Sequence, residues 1–188
     1  MKNKEALIKL ISILVISAIV TVFLYILLHE FGHVIVMLSA GARITEFSLL
    51  GARVSCEGGS FSNTSDLWMN ANGAIFPLLI SYIFLLFYRK ESKNTFYRIS
   101  SLFFGFTPAF GLLPWFVKPF VYVEGTFTPY DDTTQFLYNF SQGHSPIIVS
   151  MAAAVLFGIS ILLVIRKRVV CNFIEEIKRT REAVKRAR

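Results

Sequence analysis

The chain has 188 residues, 54% hydrophobic and 16% charged, with a formal net charge of +7. Soluble domains usually carry about 25% charged residues, so this composition argues against a water-soluble fold and indicates a chain surrounded largely by lipid. The basic residues sit at the ends of apolar runs and in the C-terminal tail, which suits anionic lipid headgroups and is not a nucleic-acid signature.

Four apolar runs are each long enough to form a membrane-spanning helix, which needs roughly 20 mostly apolar residues. The predicted spans are about 7–38, 68–88, 99–117 and 147–165. Pro108 and Pro114 predict a kink in the third span, because proline removes a helical hydrogen bond. The sequence therefore predicts an all-α polytopic membrane protein with one transmembrane core, residues 1–168.

The first span contains the pattern His29-Glu30-Phe31-Gly32-His33. Histidines four residues apart lie on one face of a helix, where both can bind one Zn²⁺. Glu30 can reach water that the zinc has made more acidic and accept its proton. Ionisable groups inside an apolar helix are costly and usually functional. The pattern therefore predicts a catalytic site with one zinc ion per chain, His29 and His33 as ligands and Glu30 as the catalytic base.

A catalytic zinc site has three protein ligands and one open position, so the third ligand must come from elsewhere in the chain. Carboxylate and imidazole groups downstream could supply it. The candidates are Asp66, Glu124, Asp131, Asp132 and His144.

Three further segments have recognisable local patterns. Residues 44–61 contain β-type residues, partial alternation and glycine breaks, which predict a short hairpin. Asn70 and Asn72 lie at the start of the second predicted span, where an amide could bind a substrate backbone or an oxyanion, or could simply cap the helix. The tail, 169–188, has apolar residues at helical spacing with basic residues opposite, which predicts an amphipathic helix on the inner membrane surface.

The distribution of lysine and arginine indicates the orientation, because basic residues are concentrated in cytoplasmic loops. They are frequent before the first span, between the second and third, and after the fourth, and sparse in the loops at about 40–67 and 118–146. Four spans with both termini cytoplasmic satisfy this pattern. His29 then lies near the outer boundary of the membrane, about 33 Å along the helix from Leu7.

Three stretches resemble the site-2 protease family of intramembrane zinc metalloproteases. Leu-His-Glu-Phe-Gly-His-Val, residues 28–34, matches the family's helix-borne motif, including the glycine before the second histidine. Residues 41–51 are similar to the segment that leads into β-strands beside the family's active site. Residues 130–137, Tyr-Asp-Asp-Thr-Thr-Gln-Phe-Leu, are similar to Leu-Asp-Gly-Gly-Gln-Ile-Leu, which supplies the family's third ligand.

The third stretch implies Asp132 as the third zinc ligand when Gln135 is aligned with the family's glutamine. Thr133 and Thr134 stand where the family has glycines, so Asp131 is the second choice. An ordinary helix N-cap is the other interpretation of this acidic pair. Family members are expected to cut near the cytoplasmic face, whereas the charge distribution here favours an outward-running motif helix.

The resemblance implies a protease that hydrolyses peptide bonds of membrane-anchored proteins within or beside the bilayer. Its partners would be the lipid bilayer and a membrane-protein or membrane-peptide substrate, and no nucleic acid. The alternative is a non-catalytic membrane scaffold or immunity-type protein that retains a zinc site. Glu30 favours the enzyme, because a purely structural site needs no base.

Overall fold

The computed structural model describes residues 2–125, 127–129 and 131–186; Tyr130 and, in the predicted tail, Ala187 and Arg188 lie outside them. Helices dominate this part of the chain, with one two-stranded hairpin after the first helix. The elements are α1 (Lys2–Ser39), β1 (Ala42–Ser48), β2 (Arg53–Gly58), α2 (Asn63–Leu86), α3 (Thr95–Phe110), α4 (Leu113–Val121), α5 (Asp132–Phe140), α6 (Ile147–Arg166) and α7 (Val169–Arg186).

Four segments are long and apolar enough to cross a membrane, as predicted. They are Leu7–Ser39, Asn63–Leu86, Thr95–Val121 and Ile147–Arg166. Large apolar side chains also cover much of their outer surface; Ile8, Met151 and Leu162, for example, are each more than 60% exposed. Exposed apolar surface of this extent is typical of a membrane-facing protein.

The third predicted span is interrupted between its two prolines. α3 ends at Phe110 and α4 begins at Leu113, so the break falls at Gly111 and Leu112. Pro114 lies in the first turn of α4. N–H groups in the first turn have no partner within the helix, so a proline there removes no helical hydrogen bond. The predicted kink is therefore confirmed, as a break between two helices.

The crossing of α1 and α2 depends on Gly32. A Cβ atom at this position would collide with the main-chain carbonyl of Asn72 and would lie 3.1 Å from the Cβ of Phe76. The side-chain amide of Asn72 then fastens the crossing, since its Nδ2 donates to the carbonyl of Gly32 over 2.7 Å. Small residues allow this close backbone approach in membrane proteins, where helices gain little from apolar burial.

The apolar core has two parts that share α2. One lies between α2, α4, α5 and α6 and includes Ala71, Leu78, Leu112, Trp115, Leu137 and Val149. The other lies at the C-terminal end of α2 and consists of Leu85, Tyr88, Val164 and Val169. The first part holds α5 against α2, and this contact brings the chain between α4 and α6 close to the histidine motif of α1.

The predicted C-terminal helix is present as α7, and its buried face is partly polar. Asn172 is buried, and its Nδ2 donates to the hydroxyl of Tyr88 over 2.9 Å and to the carbonyl of Lys90 over 2.8 Å. Glu176 is also buried and accepts a hydrogen bond from the Thr95 hydroxyl over 2.6 Å. These contacts tie α7 to the segment between α2 and α3 and to the start of α3.

Gly32→Ala should lower the midpoint temperature of thermal unfolding in detergent, because a main-chain carbonyl cannot move aside as a flexible side chain can. Overpacking of this kind costs about 1–3 kcal/mol. Gly158→Ala in α6 is the matched control, since no atom of the described residues lies within 4 Å of a Cβ there. It should be neutral or slightly stabilising, as alanine favours a helix interior. Equal shifts for the two variants would contradict the proposed role of the crossing.

Candidate metal centre

α1 presents the two motif histidines side by side. His29 and His33 stand one turn apart, and their ring centroids are 4.9 Å apart. The two Nε2 atoms are 3.2 Å from each other. The spacing of four residues along the helix therefore brings both ring nitrogens to one point, as predicted.

Asp132, the first residue of α5, completes a group of three. Its Oδ2 lies 3.1 Å from Nε2 of His29 and 3.3 Å from Nε2 of His33. Two ligands of a tetrahedral zinc ion with bonds of about 2.0–2.1 Å lie about 3.3–3.4 Å apart. The three atoms therefore form a triangle of the size that one metal ion needs, and this group could hold one.

Hydrogen bonding supports a metal as the partner of these atoms. Nδ1 of His33 lies 2.8 Å from the carbonyl oxygen of Met69, which can only accept, so Nδ1 carries the hydrogen. In the neutral ring, Nε2 then carries no hydrogen, and its lone pair faces the Asp132 carboxylate. Lone pairs that converge in this way repel unless a proton or a cation lies between them. A ligand histidine whose second nitrogen donates to a carbonyl is also the usual arrangement at metal sites.

His29 is oriented less firmly than His33. Its Nδ1 is buried and has no hydrogen-bond partner among the described residues. Only one of the two rings is therefore fixed through its second nitrogen.

Gly73 of α2 makes room for both rings. A Cβ there would lie 2.6 Å from Nε2 of His33 and 2.7 Å from Cε1 of His29. Any side chain at this position would displace the two imidazoles. Gly73 is not among the predicted site residues; its only signal in the sequence is an isolated glycine within a helical pattern.

The neighbouring acidic residue, Asp131, has different partners. Its carboxylate accepts hydrogen bonds from Nζ of Lys118 and, over 2.6 Å, from the hydroxyl of Thr134. Burial would raise the pKa of Asp131, but these two bonds outweigh it and lower the pKa. Asp131 also occupies the N-cap position of α5. It therefore anchors the start of α5, while the next residue faces the histidines.

The carboxyl group of Asp132 is held in its charged form. Burial would raise its pKa, but the imidazoles of His29 and His33 beside it lower the pKa well below its usual value. A charged carboxylate is the form that binds a metal ion. The metal-binding group found in the described chain includes none of the other candidates, Asp66, Glu124, Asp131 and His144. The ring of His144 instead packs against Phe140, with centroids 4.9 Å apart.

A cavity of about 450 Å³ opens beside the three ligands. Glu30 lines it and is almost fully buried, and its carboxylate makes no hydrogen bond with any residue that the structure describes. A buried carboxylate without a partner is costly unless water or a ligand supplies one. Glu30 is therefore placed to exchange a proton with a molecule inside the cavity.

The two asparagines of α2 lie on different sides of the helix. Asn70 is buried, lines the cavity, and donates from Nδ2 to the carbonyl of Asp66 over 2.9 Å. Asn72 lines a separate groove with Ser39 and Trp68, and its amide makes the bond to Gly32. A contact with substrate or oxyanion stays a prediction for both, and only Asn70 lies at the cavity.

The predicted hairpin forms one rim of the cavity. β1 and β2 pair antiparallel from Ala42 opposite Gly58 to Ser48 opposite Arg53, and the cavity is lined by residues 51–54. Nη2 of Arg53 donates to both carboxylate oxygens of Glu46, over 2.7 and 2.8 Å. This ion pair links the two strands beside the cavity.

Comparisons of this chain with protein-family models, with curated proteins and with solved structures found no match. The resemblance to the site-2 protease family stays a hypothesis that rests on the three stretches of sequence.

Asp132→Asn should abolish stoichiometric zinc binding by the purified protein, since the amide replaces a charged ligand. Asp131→Asn is the matched variant one residue away. It should keep one zinc per chain but bind it about 10–100-fold more weakly, as expected for a group that positions a ligand. Metal content after dialysis and competition with a chelator measure both effects. Zinc loss in the Asp131 variant alone would reverse the assignment.

Proposed function

We propose that this protein is a membrane-embedded zinc endopeptidase that hydrolyses peptide bonds of membrane-anchored proteins, with His29, His33 and Asp132 as metal ligands. The convergence of these three ligand atoms beside the unpaired carboxylate of Glu30 carries the proposal. A bound zinc ion would supply a Lewis acid that polarises a peptide carbonyl and makes water more acidic.

Glu30 provides the proton transfer that peptide hydrolysis requires. Its carboxylate takes a proton from the attacking water as the new bond from oxygen to the carbonyl carbon forms. It then gives that proton to the nitrogen of the breaking C–N bond, so the products are a carboxylate and an amine. Its burial beside His29 and His33 holds it next to the reacting atoms and limits access of bulk water.

The ligand count favours catalysis over a scaffold role. Structural zinc sites are usually closed by four protein ligands, whereas catalytic sites have three and leave one position open. Three ligands converge within the described residues, and Glu30 lies beside them without joining the group. A non-catalytic scaffold or immunity-type protein would need neither feature.

A substrate must enter this cavity as extended chain. An intact helix hides its carbonyl groups in its own hydrogen bonds, so a membrane-spanning substrate has to unwind locally. In the described chain the sheet consists of β1 and β2 alone, so one edge of β2 has no strand beside it. β2 also contributes Arg53 and Val54 to the cavity lining. We expect the unwound segment to pair with the open edge of β2, because strand addition satisfies its exposed backbone groups.

The orientation is also part of the proposal. The charge distribution favours cytoplasmic termini, and the motif lies near the opposite end of α1 from its N-terminus. The cavity would then open towards the outer face of the membrane.

Glu30→Gln should retain one zinc per chain and lose cleavage by about 10²–10⁴-fold, the usual contribution of a general base. Zinc is measured by elemental analysis. Cleavage is measured by mapping new N-termini in membranes that contain the wild type or the variant. Identical N-termini in both samples, with zinc bound in both, would contradict the peptidase and favour the scaffold.

Val54→Pro should reduce cleavage strongly and leave zinc content unchanged, because proline interrupts β2 without touching a ligand. Leu50→Pro is the matched control. The N–H of Ala52 donates to the carbonyl of Leu49, so Leu50 is the second residue of the turn, where proline is favoured. Equal activity of the two variants would argue against strand addition.

A further inference from the structure

A second cavity, of about 200 Å³, lies far from the metal centre. Side chains of α1, α3 and α7 line it, among them Lys9, Thr95 and Arg179. Lys9 and His29 are separated along α1 by about 30 Å at helical rise. The proposed peptidase chemistry therefore does not involve this cavity, which we call the basal pocket.

The charges of the basal pocket leave an excess of positive charge at its mouth. Of the described residues that line it, only Glu176 is acidic, and Nη1 of Arg98 lies 3.5 Å from Glu176 Oε2 and offsets that charge. Lys9 and Arg179 are exposed and have no ion-pair partner among the residues that the structure describes. An anion placed between these two side chains would meet two uncompensated cations.

Apart from Lys9, the α1 side of the pocket is apolar and continues into exposed apolar surface. Leu10 lines the pocket, and Ile8, Ile11 and Val15 next to it on α1 are at least half exposed. The pocket therefore joins a cationic mouth to an apolar strip at the start of a span. A free anion would use only the cationic part, whereas a phospholipid would use both.

We propose that the basal pocket binds the headgroup of an anionic phospholipid. The phosphate lies between Lys9 and Arg179, with the hydroxyl of Thr180 as a further donor, and the acyl chains lie along the exposed face of α1. Each basic residue near an anionic membrane surface contributes about fivefold in affinity. The lipid would link α1 to α7 at the end of the molecule opposite the cavity of the metal centre.

The test measures retention of phosphatidylglycerol by the full-length protein in phosphatidylcholine nanodiscs, with native mass spectrometry as the readout. The double variant Lys9→Gln, Arg179→Gln should bind phosphatidylglycerol about 25-fold more weakly, from two charges at about fivefold each. The matched control, Lys178→Gln with Arg181→Gln, also removes two exposed charges of α7, and neither of these residues lines the pocket. It should change binding less than twofold, since these two charges lie outside the pocket and are screened by salt. Zinc content and thermal stability of the double variant should equal those of the wild type.

Two outcomes would overturn this proposal. A loss of lipid as large in the control with Lys178 and Arg181 replaced as in the double variant would mean attraction by general surface charge, without a pocket. Binding of inorganic phosphate by the wild type in neutral detergent, lost in the double variant, together with no retention of phosphatidylglycerol in nanodiscs, would assign the pocket to a free anion. Neither outcome bears on the peptidase, because Glu30 and the metal ligands are unchanged.

Discussion

The close approach of α1 and α2 is the constraint on which the metal centre depends. Two positions without a Cβ, Gly32 on α1 and Gly73 on α2, allow it. At that separation the Met69 carbonyl reaches the ring of His33, and both imidazoles fit beside α2. Van der Waals packing and a few hydrogen bonds must hold such a crossing in lipid, and the amide of Asn72 supplies one of them.

The third ligand depends on a different part of the fold. Asp131 and Asp132 are adjacent but have different partners. Lys118 of α4 holds Asp131, whereas Asp132 faces the histidines of α1. Lys118 lies near the end of α4, the second part of the interrupted third span, and its contact with Asp131 fixes the start of α5. α4 is therefore part of how the candidate third ligand is brought to the histidines.

Much of this arrangement could be predicted from the sequence, because it follows from local patterns. The apolar runs specify the four candidate spans, and the spacing of His29 and His33 specifies their common face. The contacts between distant segments could not be predicted in this way. The role of Gly73 depends on the histidines of α1 that pack against it. The roles of Asn172 and Glu176 depend likewise on their hydrogen-bond partners Tyr88 and Thr95, which are distant in the sequence. By contrast, residues two apart on a helix point to nearly opposite sides. It could therefore have been predicted from the sequence that Asn70 and Asn72 lie on different sides of α2.

The length of α1 connects the chemistry to the physical state of the bilayer. Its apolar segment has 33 residues, about 50 Å at helical rise, whereas the hydrocarbon core of a bilayer is about 30 Å thick. A single straight helix with this hydrophobic mismatch must tilt, or deform the bilayer around it. The motif lies near one end of that helix, so the degree of tilt sets how deep Glu30 lies below the surface. For the proposed peptidase, bilayer thickness would then be a variable that selects which bond of a membrane-anchored substrate reaches the cavity.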